Sequence, residues 1–333
     1  MIIHTKAHAR AGLIGNPSDG YYGKTISLII RNFSANVTLY QTPELEIIPQ
    51  TQDRSCFQTI QELVNDVNLN GYYGGVRLIK ATIKKFYDYC IKNGIELEDK
   101  NFTIRYNTNI PRQVGMAGSS AIITATLRAL MAYYQVNIPK PIQPNLILSV
   151  ETEELGITAG LQDRVIQVYE GLVYMDFNKE ILDRQGYGYY EPLDPSLLPP
   201  LYVAYKTKLG KVSGTVHHSL RTRYESGDKQ VIEAMKYFAR LTDEVKACLL
   251  KGEKDKLPAL LNANFDKRTE IINVGEENLE LVRTARSCGA SAKFAGSGGC
   301  IIGTYEDEAM YRKLKERLKE LDAEVFKPII EEV

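Results

Sequence analysis

The sequence predicts an α+β fold in two domains, and three observations predict it. Strand-like and helix-like segments are mixed along all 333 residues. That mixture excludes the all-α and all-β classes, and the order is too irregular for a repeated βαβ series. The length suits two domains or one large one. The segment Glu191-Pro-Leu-Asp-Pro-Ser-Leu-Leu-Pro-Pro200 holds four prolines in ten residues. It marks the best boundary, so the domains are expected at residues 1–195 and 196–333.

Residues 1–40 read as strands, with short β-like runs at Leu28, Ile30, Val37 and Leu39, broken by the turn-rich Gly15-Asn-Pro-Ser-Asp-Gly20. Residues 75–93 read as an amphipathic helix, because Val76, Ile79, Ile83, Phe86 and Cys90 share a face and Gly94 stops it. Phe102, Ile104 and Tyr106 alternate as in a half-buried strand. A helix over 119–135 carries Arg128 as its only charge and is expected to be deeply buried. Asn145–Leu155 reads as helix and Gly171–Phe177 as strand. After the boundary come a strand over Leu201–Tyr205, a basic loop, and helices near 228–251, 254–265 and 277–288. A strand, a glycine loop, a second strand, a helix over 305–320 and a strand near 323–329 close the chain. Gly-Tyr-Tyr-Gly occurs at 20–23 and 71–74, which a tyrosine-rich chain produces by chance.

The charges balance, 41 basic against 41 acidic. A neutral chain argues against general binding to nucleic acid or anionic membranes, though not against a local basic pocket. No stretch approaches the roughly 20 apolar residues that span a bilayer, and the first ten residues lack the apolar core of a signal peptide. The five cysteines are widely spaced and form no CxxC pair. Neither a zinc site nor a disulfide framework is indicated, and a cytoplasmic location is expected. Cys300, beside a glycine loop, is either a reactive thiol or a small packing residue, and packing is the commoner use.

Four clusters carry chemistry. Pro111-Arg-Gln-Val-Gly-Met-Ala-Gly-Ser-Ser-Ala121 is a small-residue loop running into an apolar helix. Gly115 and Gly118 allow tight turning and close approach, Ser119 or Ser120 can cap the helix, and its N-terminus favours an anion. An ordinary capped core helix fits this segment equally well. Arg10-Ala-Gly-Leu-Ile-Gly-Asn-Pro-Ser-Asp19 places a cation before a tight turn and a carboxylate after it. Asp19 is either a hydroxyl-binding group or a solvated turn residue. Glu151-Thr-Glu-Glu-Leu-Gly-Ile-Thr-Ala-Gly-Leu-Gln-Asp-Arg164 sets two carboxylates across a glycine-punctuated loop. One of them can hold Mg²⁺ while the other accepts a hydroxyl proton; Glu153 and Glu154 fit a solvated helix face. Lys293-Phe-Ala-Gly-Ser-Gly-Gly-Cys-Ile-Ile302 is a glycine hairpin, read as a ligand loop or a plain turn. His217-His218 reads as solvent-facing. Neither the GxGxxG nor the Walker pattern is present.

In this order, the clusters resemble the GHMP kinases, the family of galactokinase, homoserine kinase, mevalonate kinase and phosphomevalonate kinase. The resemblance covers nearly the whole chain. Arg10–Asp19 resembles the family's acceptor motif, Pro111–Ala121 its ATP phosphate loop and Lys293–Ile302 its third motif. In the family's sugar kinases a Mg²⁺-binding Glu precedes the catalytic Asp by twelve residues, with glycines seven and three before that Asp. Glu151, Gly156, Gly160 and Asp163 reproduce this spacing. Leu13–Thr25, Arg112–Ile122 and Ala159–Arg164 are most similar to the branch acting on D-glucuronate.

The resemblance implies a left-handed β-α-β unit in an ATP-binding N-terminal domain and a ferredoxin-like C-terminal domain. It implies ATP and Mg²⁺ as cofactors, and phosphorylation of D-glucuronate at its anomeric hydroxyl, feeding UDP-glucuronate synthesis. Asp163 and Arg10 would be catalytic. Pro111, Gly115, Met116, Ala117, Gly118, Ser119, Ser120 and Ala121 would hold ATP, and Ser120 and Glu151 the metal. Asp19, Asp163, Arg164, Gly296 and Gly298 would touch the acceptor. Two departures stand out. Asn16-Pro17-Ser18 replaces the Glu-His-Thr usual in galactokinases, which argues against galactose. The extra residue Ala117 leaves Ser119 and Ser120 as alternatives for the metal. A uronate needs a cation, for which Lys206, Lys208, Lys211, Arg221, Arg223 and Arg164 are candidates. The alternatives are a kinase for galactose, arabinose or a different uronate, and a catalytically silent regulator of the same fold. The expected partners are ATP and a small sugar or sugar acid, with no nucleic acid or membrane, in a monomer or homodimer.

Overall fold

In the computed structural model, residues 1–50, 53, 74–207 and 215–331 are described, the side chains of 215–219 excepted. They form two compact units threaded through one another in sequence. Unit 1 takes Met1–His8, Phe33–Ile110 and Gly118–Ala159; unit 2 takes Ala9–Asn32, Pro111–Ala117 and Gly160–Val333. This contact-based division differs from a cut at residue 195.

In unit 1, the second half of strand β2 (Lys24–Thr42) pairs antiparallel with β4 (Asn101–Thr108), Ala35 opposite Thr108 and Thr42 opposite Asn101. β3 (Glu46–Ile48) lies parallel to β4, and α1 (Gly75–Lys92) falls between them in the chain. α1 buries Leu78, Ile79, Thr82, Phe86 and Cys90, largely the face expected from the periodicity. α2 (Gly118–Tyr134) is buried from Ser120 to Leu127, as its near-absence of charge implies. α3 (Gln143–Ser149) passes into a π-helical turn over Val150–Glu154, where a continuous helix was expected. Lys84 and Lys85 pair with Glu154 and Glu153 at 2.7 and 2.6 Å. Those two carboxylates are therefore surface ion-pair partners.

In unit 2, β1 (Ile2–Ile14) continues from unit 1 and is buried from Ala9 to Ile14. The first half of β2 pairs antiparallel with β5 (Leu172–Asp176), and β5 with β6 (Tyr189–Leu193). Pro192 is accommodated because β6 ends the described strand order. α4 (Gln162–Tyr169) packs Val165 and Ile166 against Val173 and Met175 of β5. α5 (Lys179–Gln185) begins at an Asn178 cap and ends at left-handed Gly186.

A second sheet has the order β10-β7-β9-β8, from β7 (Leu201–Lys206), β8 (Lys293–Phe294), β9 (Cys300–Thr304) and β10 (Ala323–Phe326). Its pairings are all antiparallel. Helices α6 (Thr215–Glu225), α7 (Lys229–Lys251), α8 (Leu257–Ile271) and α9 (Glu276–Ser287) separate β7 from β8, and α10 (Glu308–Lys319) joins β9 to β10. That order and connectivity are ferredoxin-like, as expected. The core joins Tyr202, Ile301 and Val325 to Leu281 of α9 and Leu314 of α10. α6 occupies part of the expected basic loop. Leu220 packs with Val231, Phe238 and Tyr21, so this polar segment has enough apolar surface to hold one side of a helix. No helix among the described residues is long and apolar enough to cross a membrane.

Candidate active site

Unit 2 brings the acceptor-type residues together. Arg10 projects from buried β1, and its Nε donates to Asp163 Oδ1 at 2.6 Å. Its Nη1 donates to the Gly115 carbonyl at 2.5 Å and the Ala295 carbonyl at 3.1 Å. One guanidinium thus ties α4 to both glycine loops.

β1 ends in a turn that must be compact. A Cβ at Gly15, with φ at +91°, would lie 2.1 Å from the Lys24 carbonyl oxygen. Buried Asn264 of α8 clamps the turn, accepting from Gly15 N–H at 2.7 Å and donating to the Asn16 carbonyl at 3.1 Å. A short 3₁₀ turn, Ser18–Tyr21, then presents Asp19. A Cβ at Gly160 would stand 2.2 Å from Asp19 Oδ2. The glycine three residues before Asp163 is therefore required by the close approach of Asp19.

The two carboxylates are driven apart in pKa. Burial, reinforced by the Asp163 charge, pushes Asp19 up to about 6. Burial also acts to raise Asp163, but Arg10 and Arg164 outweigh it and hold that carboxyl below its ordinary value. Arg164 Nη1 lies 3.4 Å from Asp163 Oδ2 and donates to the Gly160 carbonyl at 2.8 Å.

The loops of the second and third motifs meet backbone to backbone. A Cβ on Gly296 would sit 2.1 Å from the Gly115 carbonyl oxygen and 2.8 Å from Arg10 Nη1. A Cβ on Gly115 would lie 3.0 Å from Ser297 N. Gly296 is therefore glycine by contact with protein, which needs no ligand to explain it. Gln113, Gly115 and Ala117 all have positive φ, Ala117 at +62°. The inserted alanine occupies a left-handed position that glycine would adopt more cheaply, and Gln167 holds its carbonyl at 2.9 Å.

Two buried basic side chains absent from the expected set stabilise the third loop. Arg268 of α8 donates to the Gly296 carbonyl at 3.0 Å and lies over the Phe294 ring at 5.0 Å. Lys293 Nζ donates to the Gly12 carbonyl, Asn16 Oδ1 and the Phe294 carbonyl at 2.6–2.8 Å. Asn16, which replaces the galactokinase-type Glu, is thus held inward by Lys293. Three guanidinium groups, Arg10, Arg164 and Arg268, gather around two carboxylates, Asp19 and Asp163. That excess of positive charge suits an anionic ligand. Cys300 is fully buried and burial pushes its thiol up to about 12, so it is a packing residue.

Gly118, Ser119, Ser120, Ala121 and Glu151 belong to unit 1. Ser120 is buried at the start of α2, and Glu151 is buried in the π turn. Among the described residues there is no cluster of three or more His, Cys, Asp or Glu side chains that could hold a metal. Mg²⁺ needs only one or two carboxylates with other oxygen donors, so a buried hydroxyl and a buried carboxylate have suitable chemistry.

Of the cations considered for a uronate, Lys206 pairs with Glu277 at 3.2 Å. Arg223 bonds Asp228 and the Ile271 carbonyl, each at 2.8 Å. Lys208 and Lys211 lie outside the described residues. Asn264, Arg268 and Lys293 escaped sequence reasoning as site-builders. Lys293 sat inside a recognised motif, but Asn264 and Arg268 face inward from a polar-looking helix without any local signature.

Comparison with known proteins follows the same lines. Residues 77–171 match the family model described as the GHMP kinases N terminal domain. The chain is 46% identical over 306 residues to glucuronokinase 1 of Arabidopsis thaliana, covering 90% of this chain and 84% of that protein. It is 47% identical over 308 residues to a probable glucuronokinase 2 of the same plant, with the same coverage. A galactokinase from Lactococcus lactis, solved with galactose, superposes with a TM-score of 0.79 at 17% identity, covering 99% of this chain and 93% of that one.

Proposed function

The chain belongs to the glucuronokinase family of the GHMP kinases, and from that premise we propose that it transfers the γ-phosphoryl group of ATP to the anomeric hydroxyl of D-glucuronate. It is a phosphotransferase with an alcohol group as acceptor. The products would be D-glucuronate 1-phosphate and ADP.

The observation that carries the acceptor side is the pair of carboxylates in unit 2 with opposite pKa shifts. Such a split divides labour between two acids. Asp163, kept ionised by Arg10, accepts the hydrogen bond of the attacking hydroxyl and aims its lone pair. Its lowered pKa makes it a weak base, so it takes the proton late, as the bond to phosphorus forms. Asp19 accepts from a neighbouring sugar hydroxyl. Arg10 touches Asp163 and the Gly115 carbonyl, and it offsets charge on the phosphoryl group in flight. The loop Pro111–Ala117 and the residues Gly118–Ala121 hold the triphosphate. Ser120, with Glu151, would hold Mg²⁺, which neutralises phosphate charge when bound. Among the described residues, the buried cysteines Cys90, Cys248, Cys288 and Cys300 form no disulfide, which suits a reducing cytoplasm.

The test is ADP release with ATP and Mg²⁺ over D-glucuronate, D-galacturonate, D-glucose, D-galactose and L-arabinose. D-glucuronate should give the highest kcat/KM, with phosphate found on C1 by NMR. Asp163→Ala should lower kcat about 10²- to 10⁴-fold while nucleotide still binds. A protein that releases no ADP with any sugar refutes the kinase reading, and a preference for galactose refutes the choice of acceptor.

A further inference from the structure

We infer that Arg221, on α6, is the specificity residue that pairs with the acceptor's carboxylate; this rests on the uronate reading above. The residues that hold the anomeric end of the sugar leave its C5 carboxylate to be recognised. A carboxylate removed from bulk water needs a cation with donors able to reach it.

The described cations around Asp19 can be taken in turn. Arg10 uses Nε on Asp163 and Nη1 on the Gly115 and Ala295 carbonyls. Arg164 is engaged with Gly160 and Asp163. Arg268 is committed to the third loop through the Gly296 carbonyl. Lys293 is buried and makes three hydrogen bonds. Lys24 pairs with Asp243 and Asp176 at 2.8 and 3.5 Å. Each of these five already holds protein groups from a buried or ion-paired position, although Arg268 Nε makes no hydrogen bond.

Arg221 differs in place and in commitment. Its Nη2 donates to the Gly20 carbonyl at 3.2 Å, on the residue next to Asp19. Its guanidinium lies over the Tyr21 ring, 5.5 Å from the centroid, and Tyr21 is packed in turn on Tyr224 at 4.9 Å. The aromatic surface and the Gly20 carbonyl therefore fix the guanidinium beside the Ser18–Tyr21 turn. Its carboxylate partner among the described residues, Glu225, is 3.5 Å away, and the Arg221 side chain remains 44% exposed. A long, exposed i,i+4 pair of this kind is weak and yields readily to a ligand carboxylate. Asp163 and Asp19, both partly buried, form the inner side of the proposed acceptor site. A pyranose bound to them through C1 and a neighbouring hydroxyl turns its far edge, bearing the C5 carboxylate, toward the exposed side, where Arg221 stands. The planar fork of Arg then gives two parallel hydrogen bonds to that carboxylate.

The experiment compares D-glucuronate with D-glucuronamide, its uncharged isostere, and D-glucose, on wild type, Arg221→Ala, Arg221→Lys and Lys179→Ala. Lys179 is the control, because it lies over Tyr22, beyond the same turn, at 5.9 Å. Arg221→Ala should reduce the glucuronate-to-glucuronamide ratio of kcat/KM about 10- to 100-fold, the range for a charge-assisted hydrogen bond. The loss should fall mainly in the KM for sugar, with the KM for ATP unchanged. Arg221→Lys should restore part of the ratio, and Lys179→Ala should leave it as in wild type. Thermal melts check that each variant is folded. If wild type prefers glucuronate and Arg221→Ala keeps that preference, this inference fails while the uronate reading stands. If wild type shows no preference for the charged sugar, both fail together.

Discussion

Gly160→Ala tests the acceptor site through a single methyl group. The new Cβ would stand 2.2 Å from Asp19 Oδ2 and 3.1 Å from its Cγ. Restoring ordinary contact at about 3.4 Å forces the carboxylate oxygen back by roughly 1.2 Å, since atoms this close repel steeply. No positive φ is recorded at Gly160, so an alanine there is not strained in its backbone and the effect is confined to the contact. A displacement of about 1 Å in a positioning group costs on the order of 100-fold in rate. If Asp19 binds a sugar hydroxyl, kcat/KM for glucuronate should fall by about that factor, while KM for ATP holds. The assay is steady-state ADP release with each substrate varied in turn. Asp19→Asn supplies the control: in that background, adding Gly160→Ala should cost little more, because the two changes act on one group. Wild-type kcat/KM for Gly160→Ala would refute the reasoning, and so would full additivity with Asp19→Asn.

The same carboxylates and the buried hydroxyl give three further predictions. Asp19 has a raised folded-state pKa, so the stability it contributes is present below its unfolded value of 3.8 and is lost as pH rises through about 6. Asp19→Asn should therefore stabilise the fold at pH 7.5, by about 1–3 kcal/mol for a shift of this size in a partly accessible group. Asp163 has the opposite sign: its stabilisation is present above 3.8 and lost as pH falls through its lowered value. Asp163→Asn should lower the melting temperature at pH 7.5, because Arg10 loses a partner at 2.6 Å. Denaturant titrations of both variants at pH 4.5 and 7.5 check the two signs, and shifts of the same sign at pH 7.5 would count against this electrostatic picture. Ser120→Ala should raise the Mg²⁺ concentration for half-maximal activity several-fold more than Ser119→Ala does, since Ser120 is the buried hydroxyl and hard oxygen donors hold Mg²⁺. Equal Mg²⁺ titrations for the two variants would reject Ser120 as the ligand.

Much of this architecture was legible in the residues. The tight turn at Gly15 follows from Gly-Asn-Pro-Ser-Asp-Gly, and buried α2 follows from a helix with one charge. The signals for α5 were also present: Asn178 caps it and Gly186 ends it. α6 could have been found from Val216, Leu220 and Tyr224, spaced four apart in a segment otherwise dominated by charge. The π turn at Glu151 was not legible, because residue types that continue an α-helix also fill a wider turn. Nor were Asn264 and Arg268. A polar side chain on a helix reads as solvent-facing, and only tertiary contact with the turn at Gly15–Asn16 and with Gly296 turns these two inward. The glycines at 160 and 296 were visible, but their reason was not. At Gly296 the pattern left ligand approach and a plain turn open, and at Gly160 it gave only a spacing, whereas the contacts that exclude a side chain are with the Gly115 carbonyl at 296 and with Asp19 at 160.

The meeting of Gly115 and Gly296 also limits how this scaffold can diversify. A methyl group added at 296 would press on the second-motif backbone and on Arg10 at once. On the proposed roles, the nucleotide loop and the phosphoryl-side cation would then be disturbed by one substitution. Variation is thereby channelled away from the glycine loops. The exposed face of α6 near Gly20 can change its charge without moving either loop. If Arg221 reads the acceptor as inferred, a lineage seeking a new acceptor can alter this face first and leave both loops intact.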